Sequence, residues 1–561
     1  MHKHGELIGK ILEKRSITDE AEIDAFLNPD YERGLHDPFL MRDMERACVR
    51  LYEAIDAGEK IVIYADYDCD GIPGAVILRD LFRLVGYENY EVYIPQRNSE
   101  GYGLNIAAIK QFADAGVKLL ITIDLGITAV EEVAQAEVFG IDVIITDHHL
   151  PRVEASQDGH SSLALPRAYA ILNPKTDNYP EKMLCGAGVA FKFAQGFIKK
   201  YGELYKIKSG AEKWMLDMAG LATLSDMVPL LGENRVIAHF GLKVLRKSPR
   251  LGLRALLRRI NIDQANLTED DIGFMIAPRL NAASRMSDPR RAYELLIADS
   301  RSEAEKLADH LSDINDERKV IVAGIIREVN KRLRQREPRE VIVIGDPKWR
   351  VGVLGLVAGR LSDEYRRPAF VWGKDESDAI KGSCRSDGSV SVVELMTETR
   401  ESFIDFGGHE QAGGFTVRSD SIHFLEETLS GSYAKVKREQ KSADADIDIA
   451  GDLSLVNMEN WRELEKLAPF GLGNPKPVFL FENVKMDKAR TFGKNGSGEH
   501  LEVVFSDTGG NRTKAVAFFA GGNSFQAPVR EGATAKLLGT FDLSRYGGRQ
   551  ELRLRIVDIT N

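Results

Sequence analysis

The sequence predicts an α/β protein with a parallel sheet, then a long bridging helix, a second α/β unit and a small C-terminal β-barrel. Three observations lead there. Short β-branched runs each end in an acidic or imidazole side chain, apolar residues fall at helical spacing over residues 301–336, and short alternating runs with glycine turns fill the C-terminal stretch.

The first run, Ile61-Val62-Ile63-Tyr64-Ala65, is followed at once by Asp66-Tyr67-Asp68-Cys69-Asp70-Gly71, three carboxylates at alternate positions and a glycine that permits a tight turn. The second, Leu119-Leu120-Ile121-Thr122-Ile123, ends in Asp124-Leu125-Gly126. The third, Val143-Ile144-Ile145-Thr146, ends in Asp147-His148-His149. In a parallel sheet, ligands gather beyond the carboxyl ends of the strands, so these side chains are expected along one rim. Asp226, just past the mostly apolar stretch 219–225, adds a further acid.

Carboxylates this close raise one another's pKa unless a cation neutralises them, and hard divalent cations favour carboxylate oxygen. Imidazole beside them favours a transition-type ion, manganese before magnesium. Asp66, Asp68, Asp124, His148 and Asp226 are therefore the expected metal ligands, and His149 is expected to contact substrate or transfer a proton. Adjacent side chains on a strand point to opposite faces, so the two histidines converge only where the chain has left strand geometry. A solitary buried histidine is usually a satisfied core group; an Asp-His-His triplet at a strand end points to chemistry.

The other elements follow in order. Residues 18–50 read as largely helical, with an amphipathic helix over 42–57. Strand and helix then alternate up to Asp124, and residues 95–104 form a loop whose Arg97 can reach a phosphate. The polar stretch 157–163 reads as a flexible loop before a strand at Ala168-Tyr169-Ala170-Ile171-Leu172. The helix over 301–336 would span about 50 Å at 1.5 Å per residue, enough to bridge two domains across a cleft. Pro338 closes it, and Val341-Ile342-Val343-Ile344-Gly345-Asp346 opens the second unit.

In that unit, Gly382-Ser383-Cys384-Arg385-Ser386 reads as a glycine-bearing loop offering hydroxyls, backbone donors and a guanidinium to a phosphate. Gly407-Gly408-His409-Glu410-Gln411-Ala412-Gly413-Gly414-Phe415 would let the backbone approach a sugar-phosphate while His409 donates to it. Beyond a charged run at 435–448, Leu552-Arg553-Leu554-Arg555-Ile556 has the period of a half-exposed strand, with turns at Gly509-Gly510 and Gly547-Gly548. Phe492, Phe505, Phe518, Tyr546 and Arg545 are available there to stack on bases, although several of these rings must be core.

At 561 residues the chain is long enough for several cores, and 43% hydrophobic with 29% charged residues describes a globular protein. The N-terminus, Met1-His2-Lys3-His4-Gly5-Glu6, is too polar for a signal peptide, and no apolar stretch reaches membrane-spanning length, so a cytoplasmic location is expected. Cys48, Cys69, Cys185 and Cys384 lie far apart, which argues against a disulfide framework or a structural zinc. A formal charge of −10 weighs against nucleic acid, yet phosphate binding needs only a local basic groove. Candidates are Arg246-Lys247, Arg250, Arg254 and Arg258-Arg259; Lys331-Arg332, Arg334 and Arg336; and Lys435, Lys437 and Arg438. No G-x-x-x-x-G-K-[ST] loop is present, so nucleotide-driven unwinding is not expected.

Taken together, Asp66-x-Asp68-x-x-Gly71, the Asp124 turn, Asp147-His148-His149 and Asp226 resemble the motifs of the DHH phosphoesterase superfamily, specifically its bacterial branch of single-strand-specific DNA exonucleases. Leu35-His36-Asp37-Pro38-Phe39-Leu40-Met41, Gly232-Glu233-Asn234-Arg235-Val236, Pro278-Arg279-Leu280-Asn281-Ala282-Ala283-Ser284-Arg285, Gly407-Gly408-His409 and Pro469-Phe470-Gly471-Leu472-Gly473-Asn474-Pro475 extend the resemblance over nearly the whole chain.

The resemblance implies a DHH catalytic domain within 1–295, a connecting helix at 296–338, a DHHA1 substrate-binding domain at 339–440 and an OB-fold barrel at 445–561. It implies two divalent ions bridged by Asp124, with Asp124 and His149 as catalytic groups and Arg97, Arg285, Ser383, Arg385 and His409 on the substrate. It also implies 5′→3′ digestion of single-stranded DNA in repair and recombination by a monomer away from membranes, alongside a single-strand-binding protein and a helicase. Tyr64-Ala65 stands where many relatives carry a histidine, so one metal is expected to be loosely held, and Cys384 replaces a commoner glycine. The alternatives are a phosphodiesterase for oligoribonucleotides or cyclic dinucleotides, a pyrophosphatase, or a non-catalytic single-strand-binding scaffold.

Overall fold

The computed structural model describes residues 5–97, 100–155, 161–375, 377–438, 447–493, 500–522, 524–545 and 550–561. The chain divides into two compact units, one of residues 36–226 and 240–442, the other of residues 1–35, 227–239 and 443–561.

The larger unit begins with β1 (Lys60–Ala65), β2 (Tyr90–Tyr93), β3 (Val117–Ile123), β4 (Asp142–Thr146), β5 (Arg152–Ala155), β6 (Ser161–Ala164) and β7 (Ala170–Leu172). Five of these form an all-parallel sheet in the order β2-β1-β3-β4-β7. Val62, Tyr64, Leu120, Val143 and Ile145 meet Ala108, Ile109, Phe112, Val133 and Ala136 on one face. By alternation Ile61, Ile63, Ile121 and Ile144 face the other way, where a Cβ on Gly74 would lie 2.5 Å from Ile123 Cγ2 and 3.3 Å from Ala187 Cα. Burial on both faces is why these strands read as continuous apolar runs. The ladder also continues one residue past the strand ends: the Asp66 amide donates to Ile123 O (3.1 Å), that of Asp124 to Thr146 O (2.9 Å) and that of Asp147 to Leu172 O (3.1 Å). Three acids are thereby fixed side by side on one rim.

The stretch expected to be a loop at 157–163 is partly strand. β6 pairs antiparallel with β5, because backbone donors and acceptors can satisfy one another whatever the side-chain polarity. Residues 156–160 lie outside the described residues.

The helix Arg301–Leu333 runs for 33 residues, about 50 Å, and ends before Pro338. Ser300 caps it by accepting from the Glu303 amide (3.2 Å). Its buried stripe includes the expected Leu307, Leu311, Val329 and Leu333. Ile325, Val329 and Leu333 then enter the core of the second sheet with Ile342, Ile344 and Val357.

That sheet comprises β8 (Ile342–Gly345), β9 (Ala369–Lys374), β10 (Ile380–Arg385), β11 (Phe403–Gly408) and β12 (Ala412–Val417), ordered β11-β12-β10-β9-β8. The expected glycine loop is a correction: residues 382–385 belong to the central strand β10. Gly382 is there for packing, since a Cβ would lie 2.1 Å from the Phe415 ring. Alternation puts Cys384 in the core and Ser383 and Arg385 on the opposite face.

The smaller unit holds β13 (Ile449–Gly451), β14 (Phe479–Phe492), β15 (His500–Ser506), β16 (Arg512–Phe518), β17 (Thr534–Ser544) and β18 (Glu551–Thr560). β14 pairs with both β15 and β17, and β18 with both β16 and β17, which closes five strands into a barrel. Phe505 is core, alongside Phe479, Phe481 and Phe541, and Ile8, Ile11, Leu12 and Phe26 from the N-terminal helices join it. Gly510 sits at the expected turn with φ +84°, whereas Tyr546, Gly547 and Gly548 lie outside the described residues. Two of the quoted motifs lock this unit. Buried Arg235 donates to the carbonyls of Phe26 (2.8 Å), Leu467 (3.0 Å) and Ala468 (3.1 Å), and Asn474 Nδ2 donates to Leu467 and Pro469 (both 2.8 Å).

Candidate metal centre

Each acid on the rim is held by local geometry. The chain turns straight from β1 into the helix Gly71–Val85, and Asp68 Oδ1 accepts the amides of Asp70 (2.8 Å) and Gly71 (3.2 Å) at its start. A Cβ on Gly71 would lie 2.4 Å from Asp66 O, so the turn needs glycine. Asp124 adopts φ +61°, a left-handed conformation that a non-glycine residue rarely takes and that clusters at functional sites. A Cβ on Gly186 would sit 2.5 Å from Asp124 Cβ. Asp226 caps the C-terminus of the helix Leu216–Ser225, and Ser225 Oγ donates to Cys69 O (2.9 Å). His148 and His149 follow Thr146 outside the strand, which lets their rings converge to 4.5 Å.

The side chains meet in three overlapping groups: Asp66, Asp68 and Asp124; Asp124, His148 and His149; and Asp70, His148 and Asp226. Within each group, one potential ligand atom per residue lies within 4.8 Å of the others. The sequence-expected set is thus together, with Asp124 and His148 each shared by two groups. Asp70 was not among the expected ligands. Its carboxylate also accepts the amides of Gly186 (2.6 Å) and Ala187 (2.7 Å), which uses part of its capacity.

Asp66 Oδ1 and Asp124 Oδ1 are buried without a hydrogen-bond partner among the described residues, and Asp124 Oδ1 lies 3.2 Å from His148 Nε2 outside hydrogen-bond geometry. Buried carboxylate oxygens left bare next to a neutral imidazole fit a divalent cation. The electrostatics agree. Burial and then the charge of Asp68 push Asp66 well above the usual carboxylate range, and burial with Asp70 and Asp68 does the same to Asp124. Burial, with like charges adding, raises Asp70 to about 6 and Asp226 to about 9. Burial holds His148 down to about 3, so it is a neutral donor at physiological pH.

Asp147 belongs to the triplet but points elsewhere. It accepts the amides of Ile127 (2.9 Å), His148 (2.7 Å) and His149 (3.0 Å), and His149 Nδ1 at 2.8 Å. Burial alone would lower His149, yet the hydrogen bond and charge of Asp147 outweigh it and hold the imidazole above its ordinary pKa. The Tyr102 hydroxyl, which sequence reading missed, donates to Asp124 O (3.2 Å) and lies 3.3 Å from His149 Nδ1. Asn281 was also missed in this role; its Oδ1 accepts the Cys69 amide (2.8 Å). Tyr64 hydrogen-bonds to Gly103 O (3.0 Å) and takes no place among the acids.

The second sheet faces this rim. His409, at the β11–β12 turn, stacks on His149 with ring centroids 6.3 Å apart. Arg97 lies over the Tyr67 ring at 5.0 Å, Arg285 Nη1 donates to Gly352 O (3.2 Å), and a Cβ on Gly355 would come 3.1 Å from Arg385 Nη2 and 3.6 Å from Ser383 Oγ. Among the described residues Arg97, Arg285 and Arg385 have no carboxylate within ion-pair distance. Burial lowers Arg285 to about 9, with the charges of Arg97, Arg318 and Arg385 adding. The basic patches expected elsewhere are largely neutralised: Arg250 pairs with Asp217 and Asp80, Arg258 with Glu305, Arg259 with Asp309 and Asp313, Arg332 with Asp346, Arg336 with Glu426, and Arg438 with Glu394 and Glu410.

A carboxylate and imidazole rim on a parallel sheet, faced by an arginine-bearing second sheet, defines the two-module DHH class. Family models match accordingly: DHH family, N-terminal domain, over residues 60–223; DHHA1 domain over 318–433; and RecJ OB domain over 447–558. The chain belongs to the RecJ family. It is 34% identical over 558 residues to the single-stranded-DNA-specific exonuclease RecJ of Bacillus subtilis, covering 98% of this chain and 67% of that one. It is 30% identical over 568 residues to that of Haemophilus influenzae, covering 98% and 95%. A crystal structure of RecJ in complex with Mn2+ from Thermus thermophilus superposes with a TM-score of 0.80 at 26% identity, covering 100% of this chain and 76% of that one. The acids and imidazoles on the rim are placed so that they can hold a divalent metal ion, as the metal-bound relative does.

Proposed function

We propose that this chain is a metal-dependent exonuclease that hydrolyses single-stranded DNA from a 5′ end to nucleotides, serving DNA repair and recombination in the cytoplasm as a monomer. The observation that carries the reading is Asp124: buried, unpaired at Oδ1 and shared by two of the three ligand groups. Asp66, Asp68, Asp124, His148 and Asp226 would hold two ions, manganese before magnesium. Such ions, when bound, supply a nucleophilic water at neutral pH and offset charge on phosphoryl oxygens.

The chain's own residues do the rest. Asp147 fixes the Nδ1 proton of His149, leaving Nε2 to exchange a proton with the substrate. Arg97, Arg285, Ser383 and Arg385 hold the terminal 5′-phosphate, which sets polarity, and His409 holds the sugar-phosphate beside His149. We assign catalysis to the DHH domain within 1–295, spanning to 296–338, substrate holding to 339–440 and strand holding to the barrel at 445–561. On the barrel, Phe518 is 37% and Phe519 69% exposed, His500 packs on both, and the Arg553 and Arg555 guanidiniums lie 5.7 and 5.5 Å from the Phe518 ring centre. That is a stacking platform beside cations. A single-strand-binding protein and a helicase are partners that fit this activity, since the substrate is single-stranded and the chain carries no G-x-x-x-x-G-K-[ST] loop of its own.

The phosphodiesterase, pyrophosphatase and scaffold alternatives are not favoured, because the barrel has its own RecJ family match and the acids of all the motifs are present. Incubating 5′-labelled single strands with manganese and either the wild type or Asp124→Ala tests the reading. Digestion by the wild type alone is expected; digestion by both, or by neither, defeats it.

A further inference from the structure

Next to Arg285, where the helix Ala277–Met286 crosses the helix Arg301–Leu333, lies a polar cluster that the reaction above does not use. On the helix Arg301–Leu333, Ser312, Asn315 and Arg318 succeed one another at three-residue spacing and so share a face. The helix Ala277–Met286, which carries Arg285, packs against it and contributes Arg279. Ser312 Oγ, both amide atoms of Asn315, Arg318 Nε and Arg279 Nε are all buried without a hydrogen-bond partner among the described residues, and Asn315 is 0% exposed. Unpaired buried polar atoms are rare one at a time, and four of the five at this helix crossing (Ser312 Oγ, Asn315 Nδ2, Arg318 Nε and Arg279 Nε) are donors that an acceptor would complete. Arg279 does reach one acceptor, Met275 O, at 2.6 Å.

The missing group is anionic. Arg318, like Arg97, Arg285 and Arg385, has no carboxylate within ion-pair distance among the described residues, and its charge is felt at Arg285. Among the described residues, Asp316 is the acid whose charge acts on both Arg318 and Arg279, and it is itself engaged by Lys319 at 3.1 Å. A terminal monophosphate brings about two negative charges, so four neighbouring guanidiniums exceed what it neutralises. Arginine forks match phosphate oxygens in pairs, and Asn315 and Ser312 supply neutral donors behind them.

We propose that Arg318, with Arg279, Asn315 and Ser312, forms a second anion subsite continuous with the terminal-phosphate pocket, which accepts further phosphate groups on a 5′-polyphosphorylated strand. The proposal rests on the exonuclease reading for the identity of the first pocket; its test is read by binding alone. Full-length protein in EDTA is titrated with 3′-labelled single strands bearing a 5′-hydroxyl, monophosphate or triphosphate, followed by anisotropy. The wild type should bind the triphosphate end at least about tenfold more tightly than the monophosphate end. Arg318→Gln should cut that ratio to below about threefold, and Arg318→Lys should restore part of it.

An equal affinity for the two ends, or a ratio unchanged in Arg318→Gln, overturns the subsite. Should the variants melt early by circular dichroism, the wild type decides: free tripolyphosphate must displace the monophosphate strand at least about tenfold better than inorganic phosphate, and equal displacement also overturns the proposal. Digestion of the monophosphate strand with manganese, run in parallel, bears on the exonuclease reading and leaves the binding ratio standing.

Discussion

His149 Nδ1 lies 2.8 Å from Asp147 Oδ1, and the same oxygen accepts the backbone amides of both histidines. One carboxylate therefore fixes the tautomer of His149, raises its pKa and sets the turn that presents His148. Asp147→Asn should lower kcat on single-stranded DNA by about 10²–10⁴-fold, the range for a mispositioned acid–base group. The alkaline limb of the pH–rate profile should move to lower pH, because the charge that raises His149 is gone. Manganese affinity by calorimetry should change less than kcat.

Asp66, Asp124, Asp70 and Asp226 all have folded pKa values above that of an unfolded aspartate. The metal-free fold therefore binds more protons than the unfolded chain, and their stabilising contribution is complete below about pH 4 and is lost as pH rises through 6 for Asp70 and 9 for Asp226. In EDTA the melting temperature of the larger unit should fall between pH 5 and 9, by about 1 °C per kcal/mol lost for a unit of this size. Manganese should reverse the fall and release protons on binding. A flat melting profile in EDTA, measured by calorimetry, would contradict the charged-cluster account.

Asp124→Asn separates binding from folding. Asparagine tolerates the left-handed backbone at this position and carries no charge to desolvate. The metal-free variant should melt higher than the wild type at pH 8 and gain little from manganese, while digestion falls to background.

Arg385→Gln should raise KM for 5′-phosphorylated strands by about 10–100-fold, the scale of a lost charge-assisted hydrogen bond. Strands ending in a 5′-hydroxyl should be nearly unaffected. Equal effects on both ends, compared in steady-state assays, would remove the residue from the terminal pocket.

The rim was legible in the sequence because β1, β3 and β4 are buried on both faces and each stops at its acid. Runs such as Ile61-Val62-Ile63 and Val143-Ile144-Ile145 therefore mark both a strand and its end. Asp70 was not legible as a ligand. Its orientation is set by the amides of Gly186 and Ala187, more than a hundred residues away, and no local spacing reveals that. Asp147 was given no role of its own in the sequence, because a turn that spends a carboxylate on three amides cannot be told from one that aims it outward until the backbone is in place. Gly382 was misread as a turn because the Phe415 ring that demands a glycine in mid-strand comes from another strand. The basic runs overstated a surface groove, since residues such as Arg259 and Arg336 meet their acids only after folding.

The barrel face distinguishes stacking from core packing. Phe505 is fully buried and Phe518 is 37% exposed, with His500, Arg553 and Arg555 around it. Phe518→Ala should weaken binding of a long single strand by about 1–3 kcal/mol, the value of one stacked base, while leaving the melting temperature nearly unchanged. Arg555→Gln should instead lower the slope of log affinity against log salt by about 0.7, the single-strand value for one phosphate contact.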